Sequence, residues 1–129
     1  MTNQFVRSEY TEQVQVINFL RVQYPDVLFN ASPAGVRYGK GKEAIIRGGM
    51  MKRAGAQAGF PDIFIYQVVI RGDEHKWYSG LAIEMKREKG GQVSPEQQQW
   101  IDKLNEHGYK AIVAHGYDEA VKAINEYLR

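Results

Sequence analysis

Leu81-Ala82-Ile83-Glu84-Met85-Lys86 is the stretch on which the fold of this chain turns. In an extended strand successive side chains point to opposite faces. Leu81, Ile83 and Met85 therefore share a face that can enter a core, while Gly80, Ala82, Glu84 and Lys86 share the other. Two small residues are followed on that second face by a carboxylate and an ammonium. Such a pair is either an ion pair at a sheet edge or part of a chemical site.

The residues upstream bear on that choice. Gly59-Phe60-Pro61-Asp62 opens an apolar run, Ile63-Phe64-Ile65-Tyr66-Gln67-Val68-Val69-Ile70. Proline is tolerated at the first residue of a strand, and the β-branched and aromatic residues that follow suit one. The link Arg71-Gly72-Asp73-Glu74-His75 predicts that this run and the 80–86 strand form an antiparallel hairpin. Asp62 then starts one strand where Glu84 and Lys86 end the other. Two carboxylates and a lysine converge at one end.

Pro61-Asp62, followed after a hairpin by Glu84-Met85-Lys86, resembles the PD-(D/E)XK nuclease motif. Gly59 before it and Ser94-Pro95-Glu96-Gln97 after it resemble the VRR-NUC branch, over a span running from Glu9 to about Glu119. The resemblance implies an α/β fold with a restriction-endonuclease-like core, in which helices flank a mixed central sheet in the order α-β-β-β-α-β-α. It also implies phosphodiester hydrolysis of DNA with Mg²⁺ or Mn²⁺. Asp62, Glu84 and the carbonyl of Met85 would hold the ion, as oxygen donors suit a hard cation. Lys86 would act as an electrostatic stabiliser or water-positioning group. The family's first-helix glutamate falls best on Glu9, with Gln13 one turn on and Glu12 the weaker match, and its site-bordering glutamine falls on Gln97. Small stand-alone members of phage or bacterial type imply a homodimer acting on branched DNA such as four-way (Holliday) junctions. One departure is Gln67, which interrupts the apolar strand and reads as an edge or interface feature.

Composition sets the outer limits. With 129 residues, the chain reads as one domain able to bury a sizeable core. It has no cysteine, which excludes disulfides and thiolate metal sites and agrees with a cytoplasmic setting. No apolar run reaches the length of a membrane span, and the first residues lack a signal-peptide pattern. A net charge of +2 permits a polyanionic partner without demanding one.

Along the chain, residues 8–22 read as a helix capped by Ser8, with Tyr10, Val14, Ile17 and Leu20 as its inward stripe. Glu9 and Gln13 lie beside that stripe, as its wet margin or as part of a site. Residues 27–29 read as a short strand. The segment from Asn30 to Lys42 is rich in glycine and basic residues, and serves either as a solvated connector or as a loop for nucleic acid. A helix is expected over 42–54. Arg37, Lys40, Lys42, Arg47, Lys52 and Arg53 form the candidate phosphate-binding set. Ser94, Pro95 and Gln97 predict a capping box opening a helix over 95–107, which by itself accounts for Gln97. A strand over 109–115, parallel to the 80–86 strand, and a helix over 118–128 complete the order.

Other residues carry less. His75, His107 and His115 have no metal-ligand spacing. Trp77 and Trp100 read as core or interface anchors, and Phe60, Tyr66 and Tyr78 as packing aromatics. Two competing functions stand beside the nuclease: a catalytically silent nucleic-acid-binding module, and a partner-binding protein in which Asp62, Glu84 and Lys86 form only an ion-pair network.

Overall fold

A four-stranded mixed sheet carries the chain, in the order β1-β2-β5-β6. In the computed structural model residues 8–32, 41–71 and 75–129 are described. In chain order the elements are α1 (Glu9–Gln23), β1 (Phe29–Ala31), α2 (Gly41–Arg53), β2 (Ile63–Ile65), β3 (Val69–Arg71), β4 (Lys76–Tyr78), β5 (Leu81–Lys86), α3 (Pro95–Glu106), β6 (Lys110–His115) and α4 (Tyr117–Leu128). Strand β5 runs antiparallel to β2 and parallel to β6. This is the mixed α/β architecture with flanking helices that the sequence predicts.

Because β5 lies between β2 and β6, all six of its residues are buried. The alternation read from its sequence holds. Leu81, Ile83 and Met85 enter the larger core with Val16, Leu20, Ile63, Ile65, Ile124 and Tyr127, beneath α1 and α4. Ala82 faces the opposite way, into a smaller core with Phe64, Ile101, Leu104 and Ala111 under α3. The charge pair on that second face is therefore central, and the sheet-edge reading is set aside.

The run 63–70 is not one strand. It breaks at Tyr66–Val68 into β2 and β3, and the second of these pairs with β4 in a separate two-stranded sheet. Ile65 lies opposite Leu81 and Val69 opposite Tyr78, so the first side carries one extra residue between the two ladders. Such an extra residue interrupts pairing and bends the strand. Gln67 marks the interruption: its carbonyl accepts from the Tyr127 hydroxyl at 2.6 Å, and the Tyr66 N–H donates to the Leu28 carbonyl at 2.9 Å. Arg71 then ties the hairpin to α4 by donating to the carbonyls of Glu126, Tyr127 and Arg129. Trp77 and Ile70 sit opposite each other with their side chains exposed, so Trp77 is no core anchor. Phe60 and Tyr66 are also substantially exposed, although both rings contact Phe64.

A second correction concerns α1. Ser8 caps it as predicted, accepting from the Thr11 N–H. Its buried face, however, is Glu12, Gln13, Val16 and Leu20, while Tyr10 and Val14 are exposed. Two polar residues turn inward because each meets a backbone group there. Glu12 Oε2 accepts from the Tyr117 N–H at 2.7 Å, and Gln13 Nε2 donates to the Ser32 carbonyl at 2.8 Å. Gly116, the residue before α4, offers no side chain to cap that helix, so Glu12 supplies the acceptor. The short strand predicted over 27–29 lies two residues later, at β1. Among the described residues no helix is long and apolar enough to cross a membrane.

Candidate active site

Asp62 immediately precedes β2, one step beyond the Ile63–Ile83 pair, which sets it beside Glu84 on β5. Its carboxylate is fixed by the strand itself: Oδ2 accepts from the Met85 N–H at 2.8 Å. The Asp62 carbonyl accepts from the Ser32 N–H at 2.7 Å, which ties the end of β1 to the same point. The convergence predicted for Asp62, Glu84 and Lys86 is present.

Glu84 and Lys86 point to the α3 side. Lys86 Nζ stands 3.8 Å from Glu84 Oε1, and both side chains are over nine-tenths buried. Gln97 comes to them from the first turn of α3. Its Oε1 accepts from the Ser94 N–H at 2.9 Å, Ser94 Oγ accepts from the Gln97 N–H at 3.2 Å, and its Nε2 donates to Glu84 Oε1 at 2.7 Å. The capping box and the contact with Glu84 thus coexist in one side chain.

Electrostatics make this cluster costly as it stands. Burial, and then the neighbouring Asp62 charge, push Glu84 up to about 8. Burial likewise raises the Asp62 carboxyl above its ordinary range; the Met85 N–H, a hydrogen bond with the Glu84 carboxyl and Lys86 oppose that rise, while Glu9 adds to it. Among the described residues Glu84 Oε2 is buried with no donor other than the proton that the two acids can share. An unpaired buried carboxylate oxygen is rare and costs about 1–3 kcal/mol or more. One divalent cation between Asp62 and Glu84 would relieve both the repulsion and the orphaned oxygen, so the residues present fit such an ion. The Met85 carbonyl would add a third oxygen donor. Among the described residues no three His, Cys, Asp or Glu side chains gather as a metal cluster. Two carboxylates and a carbonyl match an ion that keeps several waters rather than a closed cage.

Glu9, partly exposed at the start of α1, is near enough to raise both carboxyls. Glu12 is instead engaged at α4, which separates the two helix-1 candidates. Lys42, Arg47, Lys52 and Arg53 are exposed on α2. Arg37 and Lys40 lie outside the described residues.

Gly59 has a part that residue types alone did not reveal. At φ +88° it occupies the left-handed region, and a Cβ there would come within 2.5 Å of the Glu96 backbone. Only glycine lets the segment leading to Asp62 lie flat on the α3 turn that carries Gln97. A glycine immediately before Phe60-Pro61-Asp62 is its sole local sign.

The sequence profile of the VRR-NUC domain family matches residues 37–118. A solved structure titled as a VRR_NUC domain protein superposes with a TM-score of 0.71 and 27% sequence identity, over 97% of this chain and 91% of its own. No curated protein sequence matches this chain. With the profile spanning most of the chain, and the Asp62, Glu84-Met85-Lys86 and Gln97 constellation within it, this chain belongs to the VRR-NUC family, a branch of the PD-(D/E)XK nuclease-type domains.

Proposed function

We propose that the 129 residues form one nuclease domain that hydrolyses phosphodiester bonds of DNA with Mg²⁺ or Mn²⁺. Its substrate is branched intracellular DNA such as a four-way junction, and its active form is a homodimer. The observation that carries this reading is the pairing of Asp62 with Glu84, two carboxyls that burial raises above their ordinary range, with Glu84 Oε2 lacking any donor among the described residues besides a proton shared with Asp62. A binding module has no use for acids gathered where phosphates must approach.

Asp62, Glu84 and the Met85 carbonyl would hold the ion. When bound, the ion supplies water activation and neutralises charge at the phosphate. Lys86, held near Glu84, orients the attacking water or stabilises the negative charge developing on the phosphate oxygens. Glu9 helps position the nucleophile at the open side of the pair. Gln97 fixes the orientation of Glu84 and leaves Oε2 facing away from its own contact. Lys42, Arg47, Lys52 and Arg53, with Arg37 and Lys40, contact flanking phosphates. Exposed Ile45, Ile46 and Met50 on α2 support a surface that a second subunit covers.

The test is incubation with labelled four-way junction, flap, nicked and linear duplex DNA in Mg²⁺, Mn²⁺ or EDTA. Cleavage of branched substrates is expected with metal and is lost in EDTA and in Asp62→Ala and Lys86→Ala, both of which still bind DNA. Undiminished cleavage in EDTA, or by either variant, would remove the assignment.

A further inference from the structure

Two cavities share Trp100, which lies one turn of α3 beyond Gln97. One, of about 460 Å³, lies between the end of α2 and α3 and carries Lys52, Gln57, Glu96, Gln99 and Lys103. The other, of about 500 Å³, is lined by Ser32, Gly59 and Phe60. Trp100, Ala56 and Gln57 line both, so the two form one track. The second cavity borders the backbone that leads into Asp62, because Ser32 donates to the Asp62 carbonyl and Phe60 lies two residues before Asp62.

The aromatic floor of this track is rigid. Trp100 donates its indole N–H to the Ala58 carbonyl at 3.2 Å, and Phe60 packs edge-on against it at 5.0 Å. Phe60 in turn stacks on Phe64 at 6.2 Å, yet remains 40% exposed. With its polar atom already engaged, Trp100 can offer a visitor only its ring. Two ammonium groups stand in the first cavity against one carboxylate, which favours an anionic occupant.

Resting on the nuclease reading above, we propose that this track holds an unpaired DNA strand beside the scissile phosphate. Its bases stack on Trp100 and Phe60, and its phosphates meet Lys52 and Lys103. Stacking on aromatic rings accepts any base, because every base has a π-face. The cavity volumes suit a single nucleotide unit. A paired base has both faces covered by its neighbours and cannot enter, so the track takes a strand only where pairing is lost, at a flap or an opened branch point, and not from continuous duplex.

Trp77→Phe leaves Trp100 as the only tryptophan, and position 77 is exposed, so the fold tolerates the change. Asp62→Ala in that background keeps the DNA intact during the titration. Short oligothymidylate is expected to quench Trp100 fluorescence, whereas blunt duplex of the same length is not. Lys103→Glu should weaken the oligothymidylate response about tenfold. Equal quenching by blunt duplex, or oligothymidylate binding seen by anisotropy with no change at Trp100, would overturn the proposal. The two readings fail separately. Metal-dependent cleavage by the Trp77→Phe protein with a silent Trp100 removes the track and leaves the nuclease. Quenching without cleavage keeps the track and removes the nuclease.

Discussion

Gln97 reaches Glu84 across 13 residues of chain, its Nε2 donating to Oε1 at 2.7 Å, while the same side chain closes the capping box of α3. The orientation of the carboxylate is thereby coupled to the start of a helix, a rigid element, rather than to a loop. A site built this way holds its geometry without a ligand.

Gln97→Glu tests that coupling. A glutamate still accepts from the Ser94 N–H and keeps the cap, but its second oxygen faces Glu84, so stability should fall by about 1–3 kcal/mol, less at low pH where the acids are protonated. It replaces the donor toward Glu84 with another carboxylate oxygen, and kcat should fall more than about tenfold. Gln97→Ala should lose both, with about 1 kcal/mol from the lost cap. Normal kcat in Gln97→Glu would contradict a positioning role.

Glu9 and Glu12 should separate cleanly. Glu12→Ala leaves the part-buried Tyr117 N–H without its acceptor and should cost about 1–2 kcal/mol, with kcat unchanged well below the melting temperature. Glu9→Ala should leave thermal stability unchanged or raised, since it removes repulsion from Asp62 and Glu84, and should lower kcat. Thermal denaturation and single-turnover cleavage of both variants provide the check.

Gly59→Ala should damage stability and chemistry together. The left-handed backbone alone costs an alanine about 1–2 kcal/mol, and its Cβ would press on the Glu96 backbone, driving α3 from the Asp62 segment. Added metal should recover less thermal stability in this variant than in the parent.

Tyr127 sets an alkaline limit. Burial pushes its hydroxyl up to about 12, opposed by Arg71. A raised pKa means that the folded chain holds this proton more tightly than the unfolded chain does. The contribution is therefore fully present below about 10 and is lost as pH rises from there through about 12. Melting temperatures of the parent should fall more steeply over that window than those of Tyr127→Phe, which also lacks the bond to the Gln67 carbonyl. Parallel curves would argue against it.

Local patterns carried most of the fold. The alternation in β5, the Ser94-Pro95-Gln97 start of α3 and the glycine stop before β6 are each written within a few residues, and each is realised. The inward face of α1 was not legible, because Glu12 and Gln13 take partners 105 and 19 residues away. A polar residue with such a partner defeats a reading by hydrophobic spacing. The break between β2 and β3 was hidden for a similar reason: Tyr66, Val68 and Val69 all favour strand, and Gln67 alone hints at the interruption. For the site, Asp62, Glu84, Lys86 and Gln97 could be read from motif order. The track along Trp100 could not, since Lys52 and Lys103 come together only through folding.

Anomalous diffraction from crystals grown with Mn²⁺ tests the acid pair most directly. The expected result is one peak within about 2.2 Å of an Asp62 carboxylate oxygen, Glu84 Oε2 and the Met85 carbonyl, absent in Asp62→Ala crystals. Manganese bound elsewhere, with no density between Asp62 and Glu84, would contradict it.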